Sequence, residues 1–477
     1  MHIDPASAAG NSNHNKNTVQ LSSAAQKPTA QLILPGPEIM PHILLLGTLD
    51  TKLAETLYVY EQLQAQAKQF STPLQITLID CGRENTQHDA ITISHKDLVA
   101  KYAPADGPLP NLSNTSRGEV IGFLTTCVTR CVTDRLSTTS DSSPIHGIIG
   151  TGGSGGTSLI SAVMRNAAPI GLPKLIVSTI ASGDTSSLVA ECDITLMYSV
   201  VDIAGTNELL KEVLGNAAGA IWGMANVYER RIAARQSSPG RDEEGKNRKT
   251  RVGITMFGVT TPCVDAIRRH LEEKYSVEVY VFHATGHGGK AMERLVSENH
   301  LDAILDITTT EIADYIAGGN MACAADRLEA TLKRGIPNII SLGATDMVNF
   351  GARESVPEKY KGRRLEVHNP SVTLMRTEKA EGVRIAEFIV EKIKRFAKEE
   401  RMVEVWFPEG GISIMSKAGG AFEDREVDKA LFEALKEGLK DTRVRIVSKR
   451  EDVNDEQFAI DVAERLMGLV KEVQECI

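Results

Sequence analysis

The sequence predicts an α/β protein made of two Rossmann-like, doubly wound subdomains with mostly parallel sheets. Short apolar runs alternate along the chain with segments in which apolar residues recur every three or four positions. A glycine-rich loop, Gly150–Thr157, joins one such run to one such segment, and the whole pattern restarts after residue 250. Continuous apolar runs indicate strands that are buried on both faces, as in a parallel sheet covered by helices.

Two domains fit the length of the chain, because 477 residues exceed what one hydrophobic core usually organises. Residues 236–250 contain no large apolar side chain, which is typical of a linker. We therefore place the first Rossmann-like domain, with its phosphate loop, at residues 39–235 and the second at residues 251–477. Residues 1–38 are rich in Asn, Ser, Ala and Gln and lack the apolar segment of a signal peptide, so we expect a disordered leader.

Composition and charge narrow the choice of partners and compartment. The net charge of -9 argues against nucleic acid and against an anionic membrane surface as partners. No apolar stretch approaches the roughly 20 residues of a membrane span. The seven cysteines form no cluster of the zinc type, so we expect no protein-held metal centre and a cytoplasmic, reducing setting. Cys127 and Cys131 lie four residues apart and are expected on one buried helix face.

The apolar runs give the expected strands of both domains. In the first domain they lie at residues 42–46, 74–80, 120–124, 146–149, 174–178 and 193–197. In the second domain they lie at residues 252–256, 279–282, 303–307, 338–342, 403–406 and 444–447. Helix-period patterns predict helices at residues 53–63, 159–164, 209–214, 221–232, 378–399 and 424–439, and a C-terminal helix.

The glycine-rich loop is the strongest functional signal in the chain. Five of its eight residues are glycine, and it stands between an apolar strand and a helix, where exposed backbone N–H groups favour phosphate or carboxylate. It is not a Walker A sequence, and it fits G-x-G-x-x-G only imperfectly. A plain glycine turn and a nucleophile elbow around Ser154 are the alternatives. The residues predicted to hold the anion are Gly152, Gly153, Ser154, Gly155, Gly156 and Thr157.

Polar residues after the other strands of the first domain extend this candidate site, because ligands collect beyond the carboxyl ends of parallel strands. Lys52 could balance phosphate charge, and Asp50, Asp184 or Asp202 could hold Mg²⁺. Helix capping is the alternative role for Asp50 and Asp184. The remaining residues predicted to border the cleft are Gly47, Thr48, Thr51, Ser182 and Gly183.

The strand ends of the second domain supply a second set of candidates. Gly288 and Gly289 precede a helix and repeat the anion-binding arrangement of the first domain. His287 and His368 could transfer protons near neutral pH, although a structural role is the more common one for a histidine. With Glu311 and Asp346 they form the predicted catalytic set, and Asn349 is expected beside them.

Several longer motifs together resemble a known family. Those of the first half are Gly47–Lys52, Gly150–Thr157, Val177–Thr185 and Tyr198–Gly205, and those of the second half are His283–Glu293, Thr308–Glu311, Gly343–Gly351 and His368–Pro370. They resemble the ATP-binding-domain family typified by the amino-terminal half of a tomato protein that confers tobamovirus resistance, which also has bacterial and fungal relatives. Gly411–Gly420 departs from the family's usual spelling.

The resemblance implies two Rossmann-like subdomains, ATP bound through the glycine loop with Mg²⁺, and a homodimer. Together with the strand-end residues it suggests an enzyme, or part of one, that acts on a small anionic metabolite between the subdomains. Two alternatives remain open at this point. One is a protein-binding module gated by nucleotide without turnover, and the other is an ATP-independent lyase or hydrolase of a keto or sugar acid that uses His287 and Glu311.

Overall fold

A six-stranded parallel sheet organises the first half of the chain. The computed structural model describes residues 40–105, 115–137, 144–237 and 248–475, so the predicted leader and most of the predicted linker lie outside the described residues. The strand order is β3-β2-β1-β4-β5-β6, which is the order of a Rossmann fold, and it reverses between β1 and β4. The strands are β1 (His42–Gly47), β2 (Gln75–Asp80), β3 (Ile91–Ile93), β4 (Gly147–Gly152), β5 (Lys174–Ser178) and β6 (Thr195–Tyr198).

Helices cover both faces of this sheet, because successive strand residues point to opposite sides. Ile43 and Leu45 pack against the helices Leu49–Gln69 and Glu208–Ser237. Leu44 and Leu46 pack against the helices Arg117–Ser137 and Ser154–Ala167 on the other face. All four side chains are fully buried. The helices are α1 (Leu49–Gln69), α2 (His95–Tyr102), α3 (Arg117–Ser137), α4 (Ser154–Ala167), α5 (Ser186–Val189) and α6 (Glu208–Ser237).

A second six-stranded parallel sheet organises the other half, with the order β15-β14-β10-β9-β7-β8. Its strands are β7 (Thr250–Met256), β8 (Val277–His283), β9 (Ala303–Thr308), β10 (Asn338–Gly343), β14 (Val403–Pro408) and β15 (Arg445–Lys449). Its helices are α7 (Thr261–Lys274), α8 (Gly288–Ser297), α9 (Thr310–Ala317), α10 (Glu329–Arg334), α11 (Lys379–Phe396), α12 (Arg425–Leu439) and α13 (Glu456–Glu475). The predicted α/β class with two Rossmann-like parallel sheets is confirmed.

A three-stranded antiparallel sheet adds an element that the sequence analysis did not foresee. Its strands are β11 (Met347–Phe350), β12 (Leu365–Asn369) and β13 (Val372–Arg376). β11 follows the carboxyl end of β10 and packs against α9, with Val348 and Phe350 in the core. This small sheet is therefore an extension at the carboxyl edge of the second parallel sheet.

The predicted strand at residues 120–124 is wrong, because this segment lies inside α3. A short apolar run can be either a strand or part of a buried helix. Here Val120, Leu124, Cys127, Val128 and Cys131 recur at helical spacing and form the face that is buried in the core. The expectation of a shared, buried cysteine face is confirmed. The two helices predicted at residues 209–214 and 221–232 are instead one helix, α6.

None of the helices in the described ranges combines the length and the apolar character that crossing a membrane requires. Of the seven cysteines, the six that the structure describes are buried and unpaired. Burial raises the pKa of the Cys127 thiol to about 11 and thus keeps it in the neutral form. These cysteines contribute packing rather than reactivity.

Because three buried carboxyl groups have raised pKa values, we expect the stability of the protein to depend on pH in an unusual way. Burial raises the pKa values of Glu293, Asp314 and Asp428 to about 7, above their values in the unfolded chain. The folded state then binds more protons than the unfolded state near neutrality, so the stabilisation that is complete at low pH is lost as pH rises through 7. His146, whose pKa burial lowers to about 4, acts in the opposite sense only below about pH 6.5.

We therefore expect the free energy of unfolding to fall by about 2 kcal/mol between pH 6.5 and pH 8. Urea unfolding at the two pH values measures this change directly. Replacing Asp314 by Asn should make the free energy of unfolding change less with pH, because one of the three groups no longer titrates. A free energy of unfolding that is constant or rises over this interval would contradict the assignment.

Candidate functional site

The glycine-rich loop lies at the topological switch point of the first sheet, where β1 and β4 are neighbours but continue into helices on opposite faces. β4 ends at Gly152, and α4 begins at Ser154. A cavity of about 620 Å³ opens directly in front of this turn. Its wall consists of residues that follow four strands and one residue of α3, namely Thr48, Thr51, Lys52, Arg117, Gly153, Ser154, Gly155, Gly156, Thr179, Ile180, Tyr198, Val200, Val201 and Asp202.

The backbone amides at the start of α4 face this cavity without internal partners. Gly153 is the N-cap residue, with φ -73° and ψ -165°, and no side chain caps the helix. The amide of Thr157 donates to the carbonyl of Gly153 at 2.8 Å, whereas the amides of Ser154, Gly155 and Gly156 have no acceptor within the described residues. Amides of this kind at a helix N-terminus carry partial positive charge and bind anions.

The glycines of the loop differ in how strictly the surrounding atoms require glycine. A Cβ atom on Gly152 would lie 2.7 Å from the backbone nitrogen of Thr157, so the turn itself requires glycine there. A Cβ atom on Gly155 would lie 3.0 Å from an Arg117 guanidinium nitrogen. At Gly153 the nearest atom would be the Thr179 hydroxyl at 3.8 Å, which is ordinary contact. The fold therefore tolerates a side chain at Gly153, although that side chain would project into the cavity.

The Thr157 side chain stabilises the loop from inside the protein and does not face the cavity. Its hydroxyl is buried, donates to the carbonyl of Gly152 at 3.1 Å and lies 2.8 Å from the Ser178 hydroxyl of β5. Gly47 also has a packing reason, because a Cβ there would lie 2.6 Å from the Thr56 hydroxyl. Both residues were predicted to bind the ligand. They lie at the site, but they stabilise its backbone and do not line the cavity.

Two cations stand beside the free amides. Lys52 is in the first turn of α1 with non-helical φ and ψ, and Arg117 is the first residue of α3. Neither forms an ion pair with any residue in the described part of the chain, unlike the buried cations Lys174, Arg327 and Arg376. The carbonyl of Thr48 accepts from the amides of Thr51 and Lys52, and so fixes the turn that presents Lys52. The cavity is therefore electropositive on the side of the loop.

The three candidate Mg²⁺ carboxylates separate into different environments. Asp50 accepts the amide of Arg83 at 2.8 Å, and Asp184 accepts the amide of Ser186 at 2.9 Å. Hydrogen bonds from Ser186 hold the pKa of Asp184 below its usual range. Asp184, like Ser182 and Gly183, lies outside the cavity lining, whereas Asp202 is part of it. No cluster of three metal-ligating side chains occurs among the described residues, so Asp202 alone could support a metal that phosphate oxygens and water also hold.

The sequence analysis missed Arg117 and the apolar part of the cavity wall. Val200 has φ +65°, and the amide of Val201 donates to the carbonyl of Ser199 at 2.7 Å. This is a classic γ-turn, which is rare and strained, above all for a β-branched residue. The turn directs Tyr198 and Val200 to the rim of the cavity, where both stay largely exposed. Strain of this kind collects at ligand sites.

A second cavity of about 410 Å³ adjoins the first at the glycine loop. The two share Thr48, Thr51, Arg117, Gly155 and Gly156. The wall of the second cavity is more apolar, because α3 and α4 contribute Val120, Ile121, Leu124 and Leu159 and the end of β2 contributes Cys81. We call it the α3–α4 chamber.

The second glycine loop differs from the first because the protein's own carboxylate fills it. Glu311 accepts the amides of Gly286 at 2.8 Å and of Gly289 at 3.2 Å. A Cβ atom on Gly289 would lie 2.1 Å from the Glu311 carboxylate, so this glycine makes room for an internal side chain. The interpretation of Gly288 and Gly289 as a second anion site is thus wrong.

The Glu311 carboxylate belongs to a buried charge cluster around Arg327. The Arg327 guanidinium is fully buried and pairs with Asp306 at 2.7 Å, Glu293 at 3.2 Å and Glu311 at 3.2 Å. Thr255 also donates to Asp306 at 2.8 Å. Removal of any charged member would leave its partners buried without compensation.

Comparisons with known proteins place the chain in a family. Residues 41–230 match the "Uncharacterised protein family (UPF0261) N-terminal domain", and residues 249–470 match the C-terminal domain of the same family. The chain belongs to the UPF0261 family. A UPF0261 protein of Clostridium tetani is 39% identical over 429 residues, which cover 90% of this chain and 99% of that protein.

Two tomato proteins are also similar to this UPF0261 chain. The ToMV resistance protein Tm-1(GCR237) is 37% identical and the ToMV susceptible protein tm-1(GCR26) 38% identical, each over 428 residues. These matches cover 88% of this chain but 54% of each tomato protein, so the chain corresponds to about half of their length. The resemblance to the family of the tomato resistance protein is confirmed as family membership.

The four predicted catalytic residues of the UPF0261 chain have separate surroundings. Glu311 is in the Arg327 cluster, and the imidazole of His287 is 2.8 Å from Glu191 of the first half. Asp346 is fully buried and accepts the Ser413 hydroxyl at 2.7 Å. His368 is exposed on β12. The structure thus gathers most of the first set of predicted residues around one cavity, but it does not gather the second set.

Proposed function

We propose that this chain binds ATP, together with Mg²⁺, in the cavity of the first sheet and has an enzymatic role toward a small anionic metabolite. The observation that carries the proposal is the row of amides at Ser154, Gly155 and Gly156, which lack internal acceptors and stand next to Lys52 and Arg117. The amides and the two cations would hold the phosphates. Asp202 would hold Mg²⁺ through water or directly.

An enzymatic role fits the chemistry of this cavity. Catalysis of phosphoryl transfer consists mainly of positioning and charge stabilisation, and it needs no nucleophilic residue of the protein. Lys52, Arg117 and the loop amides supply that charge where the phosphates would lie.

Calorimetric titration of the intact protein with ATP and Mg²⁺ tests the proposal. We expect saturable binding with one site per chain. Absence of heat and of any thermal stabilisation by ATP would reject it. Product detection after long incubation with candidate metabolites then separates an enzyme from a nucleotide-gated binding module, for which only a partner pull-down would depend on ATP.

Replacement of Arg117 by methionine should weaken ATP binding about tenfold, because one unpaired guanidinium contributes roughly 1.5 kcal/mol to a charge-assisted phosphate contact. Titration at 50 mM and 200 mM salt should also show a shallower salt dependence for the variant than for the parent protein. Arg130 lies on the exposed side of the same helix, and Arg130→Met is the matched control with expected parental affinity. Equal affinities of Arg117→Met and the parent would remove Arg117 from the site.

We also propose a homodimer and a cytoplasmic location, which the resemblance and the cysteine usage support. Sedimentation equilibrium of the full chain tests the first proposal. A single species of about one chain mass at micromolar concentration would reject it.

A further inference from the structure

We infer that the α3–α4 chamber binds the nucleobase of the nucleotide, so that the ligand spans both cavities with its phosphates at the glycine loop. This inference rests on the proposed function. The juxtaposition that carries it is one loop: Gly153–Gly156 line the polar cavity, and Gly155 and Gly156 also line the chamber, whose wall is more apolar. A nucleoside triphosphate has the same division into a highly charged end and a flat, weakly polar end.

The wall of the chamber is chemically suited to a flat heteroaromatic ring. Val120, Leu124 and Leu159 are at most 4% exposed and form part of the core packing of α3 and α4. They form a rigid backing for the chamber, and the partly buried Ile121 is the accessible aliphatic side chain of its wall. Transfer of an apolar face from water to such a surface is favourable, and it costs little entropy because the wall is already ordered.

Two guanidinium groups also line the chamber, together with the carboxylate of Asp50. Arg83 is held in place, since its guanidinium donates to the carbonyl of Thr115 at 2.9 Å and its amide donates to Asp50 at 2.8 Å. Arg117 borders both the chamber and the polar cavity. Guanidinium planes stack on nucleobases, so the two arginines would cover the ring while Arg117 stays within reach of the phosphates.

The polar cavity offers a less suitable place for the base. It is lined by Lys52 and Asp202, which do not line the chamber and which would lose water contacts against an aromatic ring. Its one aromatic side chain, Tyr198, is at the open rim and is 41% exposed. Stacking on Tyr198 is the alternative that an experiment must distinguish.

A comparison of ATP with inorganic tripolyphosphate isolates the contribution of the base, because tripolyphosphate carries only the charged end. In calorimetric titrations with Mg²⁺ we expect the parent protein to bind both, with ATP tighter by about 10- to 100-fold. Ile121→Trp, which fills the chamber from its edge, should lower ATP affinity to the level of tripolyphosphate and leave tripolyphosphate affinity unchanged. Phe123→Trp is the matched control on the same helix, outside the chamber lining, and should bind both ligands as the parent does.

Ile121→Ala provides a second test that does not depend on tolerance of a bulky residue. It should weaken ATP binding several-fold without affecting tripolyphosphate. Parental ATP affinity in both Ile121 variants would overturn the inference. So would a selective loss of ATP affinity in Tyr198→Ala, since the base would then lie on the other side of the loop. Binding of neither ligand by the parent would reject the proposed function itself, whereas equal binding of both would reject only the nucleobase site.

Discussion

Replacement of Gly153 by valine will abolish ATP binding, with a loss of at least 100-fold in affinity, while the protein stays folded. The Cβ of the new side chain meets only the Thr179 hydroxyl at 3.8 Å, and the extended backbone at this residue suits a β-branched side chain. Its methyl groups would occupy the space in front of the Ser154, Gly155 and Gly156 amides. An anion could then no longer reach those amides, and the lost hydrogen bonds account for several kcal/mol. Calorimetric titration with ATP and Mg²⁺ measures the effect.

The neighbouring glycine provides the contrast for this experiment. Gly152→Ala places its Cβ 2.7 Å from the Thr157 nitrogen, so the turn must shift. We expect Gly152→Ala to lower the melting temperature, and Gly153→Val to leave it unchanged within about 2 °C. Parental ATP affinity in folded Gly153→Val would show that the ligand, if there is one, lies elsewhere.

Replacement of Arg327 by methionine will destabilise the protein by about 3–5 kcal/mol, which is the cost of breaking a buried ion-pair network by removal of one partner. The change leaves Asp306 and Glu311, each at most 1% exposed, together with Glu293, without their shared cation. Urea unfolding at pH 7.5 measures the loss. The destabilisation should be smaller at pH 5.5, because the carboxyl groups can then take up protons.

Arg395→Met is the matched control for the buried cluster. Arg395 pairs with Glu391 across one helical turn, and its side chain is 69% exposed. Exposed pairs of this type contribute at most about 1 kcal/mol. If Arg327→Met were no more harmful than Arg395→Met, the cluster would not stabilise the second half of the chain.

The sequence was sufficient to predict those parts of the site that depend on local pattern. An apolar strand, a glycine-rich turn and a helix occur within about twenty residues, and backbone geometry alone then leaves the Ser154–Gly156 amides open. The place of Lys52 also followed from a strand end. Arg117 could not be predicted, because it is the first residue of a helix in which residues 120–124 were predicted to be a strand.

The second glycine loop shows why the same local pattern was insufficient elsewhere. Gly286 and Gly289 belong to a segment that resembles the first loop in sequence. Their amides nevertheless donate hydrogen bonds to Glu311, which is more than twenty residues away and is not part of the local pattern. Only tertiary packing with Arg327 explains that choice. His368 was predicted at the site but lies away from it, for a related reason. Its position depends on how β12 pairs with β13, and the residues of β12 alone do not determine that pairing.

The measurement that tests the account most directly is a crystal structure of the protein soaked in tungstate, an anion whose anomalous signal locates it without ambiguity. We predict a tungstate ion at the amides of Ser154, Gly155 and Gly156, within reach of Lys52 and Arg117. We predict none at Gly286–Gly289, where the Glu311 carboxylate already accepts hydrogen bonds from the amides of Gly286 and Gly289. Tungstate at the second loop, or an empty first loop at saturating concentration, would contradict it.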